Sequence, residues 1–342
     1  MEKVSMIGID LAKNWFQLHG AAADGSVVFR KKPVRRKVLD FLASQPNCPV
    51  AMEACASAHW WGRGIMELGH EVRLVPPICV KPFVKRQKND ASDAEAICEA
   101  ATRPTMRFVP VKSEEQQSRC MVFRTRDLLV RQRTQTVNAL RGHLAEFGII
   151  APQGIANVER LAIRVAEASA SLPEAVRDMA GLLLEQIDKL NVKIRDLEKR
   201  IRTDAGQDEE AKRLMSIPGV GPITAMAIQA FAPPMEGFRR GRDFSAWLGL
   251  VPRQHSTGGK QRLGRVSKMG QRDLRRLLFV GAMAEIRWAV RRGVPEGSWL
   301  ARMLARKPRR LVAMAMANRM VRMAWALMTK KESYRDPVTA AA

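Results

Sequence analysis

The sequence has no long hydrophobic run and no closely paired cysteines. Nowhere in its 342 residues is there a stretch near the ~18 apolar residues that a membrane helix needs, which excludes a predicted span. The apolar segment 4–9 ends at Asp10 and is too short for the core of a signal peptide. The five cysteines form no C-x-x-C pair, as is typical of reduced thiols in the cytosol. We therefore expect a cytoplasmic protein without a membrane partner.

Aromatic and acidic side chains are also scarce. Aromatics make up 6% of the chain, which argues against a surface devoted to stacking single-stranded bases. Asp and Glu number 34 against 58 Lys and Arg, giving a formal net charge of +24. From residue 235 onward there are 24 basic and seven acidic residues, so +17 of this charge lies there. Such an excess indicates a polyanionic partner, with a merely solvated basic surface as the alternative.

The order of predicted elements divides the chain into three parts. Residues 1–112 alternate strands and helices, which predicts an α/β domain whose first strands are antiparallel and whose later strands are parallel. Residues 113–208 lose strand character and begin with a long polar helix over 114–147. Residues 209–342 are helical, rich in methionine and basic. We expect a helical middle segment and a mainly α C-terminal domain.

The middle segment carries a heptad repeat. Apolar residues recur at alternating spacings of four and three: Val176, Ala180, Leu183, Ile187, Leu190, Ile194, Leu197 and Ile201. This is the a/d pattern of a coiled coil, which we interpret as a contact between chains. An antiparallel helical hairpin within one chain is the alternative.

Four carboxylates of the N-terminal part are predicted to converge. Asp10 and Glu53 each end an apolar strand, and Asp90 and Asp93 stand three apart at the start of a helix, so that both face one side. Clustered carboxylates repel one another unless a hard divalent cation neutralises them. A pair of Mg²⁺ or Mn²⁺ ions can clamp a phosphodiester in this way. Singly, each residue also fits a helix cap, a first-turn charge or a solvated strand end.

Two motifs of the C-terminal part are suited to binding phosphate groups. A helix stops at Gly219 and Gly221, and Pro222 opens the next, a pattern that predicts a helix-hairpin-helix with bare amides toward a DNA backbone. A tight turn without a ligand is the alternative.

The second motif is the segment S-T-G-G, where Ser256 and Thr257 precede two glycines. It predicts a mobile polar loop that either binds phosphate, which the residues alone favour, or carries an alcohol nucleophile. The basic residues in and after this segment that we expect to contact nucleic acid are Arg253, Lys260, Arg262, Arg265 and Lys268.

The order of these motifs resembles a known family. The segments G-I-D-L-A-K, M-E-A, N-D-A-S-D-A, S-I-P-G-V-G, L-G-L-V-P-R-Q-H-S-T-G-G-K and R-V-S-K-M-G follow one another over about residues 5–330. In this combination they resemble the bridge-RNA-guided insertion-sequence transposases of the IS110 family and its IS1111 branch.

The resemblance implies an RNase H-like (RuvC-like) domain over 1–112, a helical linker with a coiled coil over 113–208 and a basic transposase domain over 209–342. It implies metal binding by Asp10, Glu53, Asp90 and Asp93, and a serine that becomes covalently linked to DNA. Ser256 is predicted as that nucleophile because a primary alcohol is less hindered than the alternative, Thr257.

The implied partners are donor and target DNA, a guide RNA encoded by the mobile element, and further copies of the chain in a dimer or tetramer, at the bacterial nucleoid. Base pairing by the RNA would then read the sequence. Two other functions remain open: a metal-dependent nuclease that resolves DNA junctions with water as nucleophile, and a non-catalytic binding protein on a nuclease fold. The four acidic residues oppose the latter, and the basic hydroxyl segment opposes the former.

Overall fold

The computed structural model describes residues 3–84 and 90–335, with Asp90 and Ala91 described by their backbone alone. The chain divides into two compact units, Met1–Gln117 and Ser118–Ala342, which we call the N-terminal unit and the C-terminal unit. No helix among the described residues is long and apolar enough to cross a membrane.

The N-terminal unit is a mixed sheet with helices on both faces. Its elements are β1 (Met6–Asp10), β2 (Gln17–Ala21), β3 (Val27–Lys31), α1 (Val38–Ala43), β4 (Pro49–Glu53), α2 (Ala58–Glu67), β5 (Glu71–Val75), α3 (Pro77–Val80) and α4 (Asp90–Ala101). The strands pair in the order β3-β2-β1-β4-β5. The first three are antiparallel, and β4 and β5 run parallel to β1, which confirms the predicted mixed sheet.

Both faces of the sheet are buried, because side chains along each strand point alternately to one face and the other and helices cover both. Ile7 and Ile9 of β1 pack with α1 and α2, whereas Met6 packs with α4 on the other side. Side chains of a strand point alternately to opposite faces, so a strand covered on both sides is apolar throughout. This explains why the segment ending at Asp10 reads as an unbroken apolar run, with its first charge at the sheet's edge.

The C-terminal unit is mainly helical. Its elements are α5 (Glu114–Ala145), which begins at the end of the N-terminal unit, α6 (Val158–Glu167), α7 (Glu174–Gln207), α8 (Glu209–Met215), α9 (Pro222–Phe231), α10 (Gly241–Trp247), β6 (Pro252–Gln254), β7 (Leu263–Val266), α11 (Arg272–Arg292), α12 (Trp299–Arg306) and α13 (Arg309–Lys330). The core lies between α7, α8, α9, α10, α11 and α13. Ile201 and Ala205 of α7 are buried in that core, so residue 208 does not mark a boundary between compact units.

The heptad stripe of α7 is buried inside its own chain. Ile187, Leu190 and Ile194 are each at most 3% exposed in the single chain. The helix that covers them is α5, which runs antiparallel: Arg133 donates to the Asn191 side chain at 3.0 Å, and Arg126 pairs with Glu198. Our interpretation of the stripe as a contact between chains is therefore wrong, because an intrachain hairpin buries the same seam.

A charge placed on this seam will destabilise the monomer. We expect Leu190→Asp to lower the free energy of unfolding by about 3–5 kcal/mol, since it removes a buried side chain and buries a carboxylate. Val192→Asp is the matched control, because Val192 lies on the same helix and is 47% exposed. Urea unfolding of both variants measures the difference, and equal losses would contradict the hairpin.

Candidate active site

The sheet places Asp10 and Glu53 side by side. Both are the last residues of neighbouring parallel strands, and the register pairs Ile9 with Met52, the residues just before them. Carboxyl ends of parallel strands meet at one edge of a sheet, where open α/β folds bind their ligands. The two carboxylates are therefore neighbours because of the strand register alone.

A glycine brings α4 to the same edge. A Cβ on Gly8 would lie 2.3 Å from the carbonyl oxygen of Ala94, so only glycine lets the helix backbone approach β1 so closely. Asp93 precedes Ala94 and lies in the first turn of the helix. Asp10, Glu53 and Asp93 consequently line one cleft of about 230 Å³, whose other lining residues are Pro77, Val80, Lys81, Val84 and Ile97. The side chain of Asp90 is outside the described residues.

The electrostatics of this cleft show crowded negative charge. Partial burial, followed by the charge of Asp93, raises the pKa of Glu53 above its usual value. Partial burial also raises the pKa of the neighbouring Cys55 thiol, with smaller contributions from Glu53 and Asp10. Like charges held together disfavour ionisation, so a bound cation would relieve the repulsion.

The donor chemistry fits a hard divalent cation. Carboxylate oxygens are the ligands that Mg²⁺ and Mn²⁺ prefer, and three carboxylates from three elements face one cleft. In the part of the chain that the structure describes, no three His, Cys, Asp or Glu side chains form a ready-made ligand set. The carboxylates of Asp10, Glu53 and Asp93 thus line one cleft without forming a complete metal-binding set among the described side chains.

Lys81 is a member of the cleft that sequence reasoning missed. It follows α3 in a short turn of 3-10 helix, and its side chain lines the cleft together with the carboxylates. No motif marks it, because it enters through a connection after β5 rather than from a strand end. An ammonium group here is suited to contact a phosphate oxygen.

The segment around Ser256 is an ordered β-hairpin. β6 and β7 pair antiparallel, and Gly258 and Gly259, at φ of 56° and 74°, form the turn between them. The Lys260 N–H donates to the Thr257 carbonyl at 3.1 Å and closes this turn. The structure has a hairpin where the sequence predicts a loop, because two adjacent glycines suit the tight turn that requires two positive φ values.

Positive charge surrounds Ser256. The chain contains no Asp or Glu from residue 244 to 272, and Ser256 is exposed in the hairpin. The exposed basic side chains of this segment are Arg253, Lys260, Arg262, Arg265 and Lys268. Two arginines of α11 make contacts within the chain instead: Arg276 pairs with Asp127, and Arg275 donates to backbone carbonyls. The hairpin is therefore a projecting cationic element that carries two hydroxyls.

The base of the hairpin is fixed to the helical core. Arg275 donates to the carbonyls of Leu248 and Met269 at 2.8 Å each, joining the chain before β6 to the chain after β7. A Cβ on Gly249 would lie 2.0 Å from the Met269 oxygen, and one on Gly270 would lie 1.8 Å from the Trp247 oxygen. These close approaches, which glycine allows, join the base of the hairpin that carries Ser256 to the helical core.

The close approach at Gly270 predicts a specific loss of stability. We expect Gly270→Ala to lower the free energy of unfolding by about 3 kcal/mol or more, because a positive φ costs about 1–2 kcal/mol and the new Cβ overlaps a backbone oxygen. Gly293→Ala is the control, since Gly293 also has a positive φ but nothing within 4 Å of a Cβ. Equal losses in urea unfolding would contradict the anchoring of the hairpin.

Where the sequence predicts a helix-hairpin-helix, the chain forms α8, a tight turn and α9, and the DNA-binding role of this segment stays a prediction. Pro222 is the first residue of α9 and Gly221 its N-cap, as the sequence indicates. The two glycines differ in surroundings: a Cβ on Gly219 would lie 3.0 Å from the Gly281 oxygen, whereas Gly221 has nothing within 4 Å. Gly219 therefore serves the packing of this turn on α11, and Gly221 is the glycine that leaves room for a ligand.

Comparison with known proteins gives the class of protein to which this chain belongs. The profile described as "Transposase IS116/IS110/IS902 family" matches residues 211–293, and "DEDD_Tnp_IS110: Transposase" matches residues 7–149. The chain is 47% identical to a "Probable family 20 transposase" of Pseudomonas aeruginosa, over 97% of this chain and 99% of that one. It is 42% identical to the "Transposase for insertion sequence element IS1328" of Yersinia enterocolitica, over 96% and 98%, and 37% identical to that for IS1111A of Coxiella burnetii, over 98% and 92%.

The two matched segments define a DNA transposase, an enzyme that acts on DNA strands. The chain belongs to the IS116/IS110/IS902 family of transposases, and the family's DEDD-type domain includes the sheet that carries Asp10 and Glu53. This confirms the family resemblance of the sequence motifs. A DEDD-type domain points to the use of a divalent metal ion, and transposition makes DNA the substrate.

Proposed function

We propose that this transposase cuts and exchanges strands of donor and target DNA under the direction of a guide RNA, through a covalent serine–DNA intermediate. The observation that carries the proposal is the gathering of Asp10, Glu53 and Asp93 in one cleft, in a chain that also presents Ser256 on a fixed cationic hairpin. We also propose that the protein acts in the cytoplasm, at the nucleoid.

The carboxylate cleft is the proposed site for Mg²⁺ or Mn²⁺. Asp10, Glu53 and Asp93 are the described residues that would hold it, and Asp90 is the fourth residue of the proposed set. A bound divalent cation supplies positive charge to the oxygens of a reacting phosphodiester. Lys81 supports this role, because its ammonium lies in the same cleft and can orient a phosphate group.

Ser256 is the proposed nucleophile. Its Oγ forms a bond to phosphorus, the strand's P–O bond breaks, the serine proton passes to a base or water, and the departing oxygen is protonated. Positive charge near the phosphate stabilises the transition state, and Arg253, Lys260 and Arg262 are exposed in the same hairpin. Thr257, one residue further along, is the alternative attacking hydroxyl.

Guide RNA and further protein copies complete the proposal. The charge of +17 from residue 235 onward supports contacts with phosphate backbones, for which Gly221 and the basic hairpin are the proposed positions. Such contacts do not read sequence, so base pairing with a guide is a suitable source of specificity. Exchange of several strands requires at least two copies of the chain, a dimer or tetramer, joined through a surface other than the α7 stripe.

The test is to redirect the enzyme with RNA alone. We expect the purified protein to join donor and target DNA only when RNA transcribed from the non-coding segment beside its gene is added. Changing the RNA segment that pairs with the target should move insertion to the newly matched sequence. Joining that is equally efficient and equally placed without any RNA would refute guidance while leaving the transposase activity intact.

A further inference from the structure

An aromatic and basic cleft in the N-terminal unit has no place in the proposed cleavage chemistry. It has a volume of about 590 Å³, and the residues that define it are Lys13, Asn14, Trp15, Arg35, Arg36 and Trp60. Trp15 and Trp60 are 51% and 52% exposed, although tryptophan is a residue that folding usually buries. In a chain poor in aromatics, two half-exposed indoles therefore share one cationic cleft.

Ring packing and backbone hydrogen bonds support the walls of this cleft. Trp60 contacts the buried Trp61 at 4.8 Å between ring centroids, and Trp61 contacts the fully buried Phe16 at 4.8 Å. The segment containing Trp15 is bonded to the facing chain: the Phe16 N–H donates to Pro33 at 3.0 Å, and the Arg35 N–H donates to Asn14 at 2.8 Å. The Trp60 indole is thus packed on a buried ring, and hydrogen bonds hold the backbone on either side of Trp15.

The cations are arranged around the same rings. The Arg35 guanidinium lies 5.1 Å from the ring centroid of Trp61 and 5.6 Å from that of Phe16, which fixes a charge at the cleft floor. Lys13 and Arg36 line the cleft and are exposed. Among the described residues that line it, none is acidic. Flat apolar rings beside exposed positive charge match a nucleobase and its phosphate.

We propose that this cleft binds unpaired nucleotides of a DNA strand, with bases stacked on Trp15 and Trp60 and phosphates near Lys13 and Arg36. Duplex DNA hides its bases' faces within the stack, so the proposed ligand is single-stranded. The low aromatic content of the chain disfavours such a site only if aromatic residues are evenly distributed, whereas the fold concentrates two of them here.

The choice of DNA rests on the proposed function and on position. Lys13 and Trp15 follow Asp10 by three and five residues, which limits their Cα distances from it to about 11 and 18 Å. An unpaired strand whose phosphate occupies the carboxylate cleft would therefore reach the aromatic cleft within a few nucleotides. The cleft would hold the DNA strand that is opened for cutting.

The test measures base stacking apart from electrostatic attraction. The full-length protein is titrated with fluorescein-labelled oligothymidine and with an abasic oligonucleotide of equal length, at high salt and in EDTA. High salt suppresses phosphate contacts, and EDTA prevents metal-dependent cleavage, so failure of this proposal is distinguishable from failure of the cleavage mechanism. We expect wild type to prefer the base-containing strand by about 5- to 150-fold per stacked base.

Substitutions of the two tryptophans test whether they cause the preference for base-containing DNA. In the double variant Trp15→Ala/Trp60→Ala the preference should vanish, whereas Trp15→Phe/Trp60→Phe should keep part of it, because phenyl rings also stack. Trp288→Ala is the control: Trp288 is 51% exposed and lies 4.1 Å from the Arg292 guanidinium, but belongs to the C-terminal unit. A preference that survives the double alanine variant, or is lost equally in Trp288→Ala, overturns the proposal. A preference shown only by oligouridine RNA overturns the assignment to DNA.

Discussion

Asp10→Asn is expected to reduce DNA strand cleavage by about 10³-fold or more while leaving the protein folded. Asparagine keeps the shape of the side chain but removes one negative charge from the cleft shared with Glu53 and Asp93. Metal assistance supplies several kcal/mol of transition-state stabilisation, and each 1.36 kcal/mol corresponds to a factor of about ten in rate. Cleavage of labelled DNA at saturating Mg²⁺ measures the loss.

The control is Asp40→Asn, which removes an exposed carboxylate of the same unit. Asp40 pairs with Lys37 at 3.2 Å on the surface of α1, and such pairs contribute little to stability. We expect it to cleave at the wild-type rate, and both variants to unfold at nearly the wild-type denaturant concentration. Wild-type cleavage by Asp10→Asn would refute the carboxylate cleft as the metal site.

Ser256→Ala is expected to abolish a covalent protein–DNA adduct altogether. Removing the hydroxyl removes the only atom of this side chain that can attack phosphorus, and the exposed hairpin position predicts little effect on folding. Denaturing gels of protein incubated with labelled donor DNA should show a slow-migrating band for wild type and none for the variant.

Thr257→Ala tests which of the two adjacent hydroxyls is the nucleophile. The two hydroxyls are adjacent in one hairpin, so both variants carry the same loss of polarity beside the same cations. If Thr257→Ala loses the adduct and Ser256→Ala retains it, threonine is the nucleophile. If cleavage persists in both and wild type never forms an adduct, water is the attacking group and the junction-resolving nuclease is correct.

The carboxylate cleft could be predicted from the sequence because two of its acidic residues lie at the ends of strands. Asp10 and Glu53 each terminate an apolar run, and parallel pairing of such runs is the common outcome in α/β folds. Asp93 was found through its three-residue spacing from Asp90. Lys81 could not be predicted as a member of the cleft, since its position depends on how the connection after β5 folds over the edge of the sheet.

Other features depend on tertiary partners that no local pattern specifies. The α7 heptads indicate a buried stripe, but the same stripe suits a helix of another chain or α5 of this one. The sequence alone suggests that Gly219 binds phosphate. In the structure it packs against Gly281, about sixty residues later in the chain. The aromatic cleft joins residues 13–15, 34–36 and 60, which no sequence window contains together.

The most direct measurement is to locate DNA on the hairpin peptide. Trypsin cuts after Arg253 and Lys260, releasing Q-H-S-T-G-G-K, which contains both candidate hydroxyls. After reaction with donor DNA and Mg²⁺, followed by nuclease digestion, mass spectrometry should find this peptide carrying a nucleotide on Ser256, and no such peptide from Asp10→Asn. DNA that is cut while this peptide remains unmodified would contradict a serine-linked intermediate.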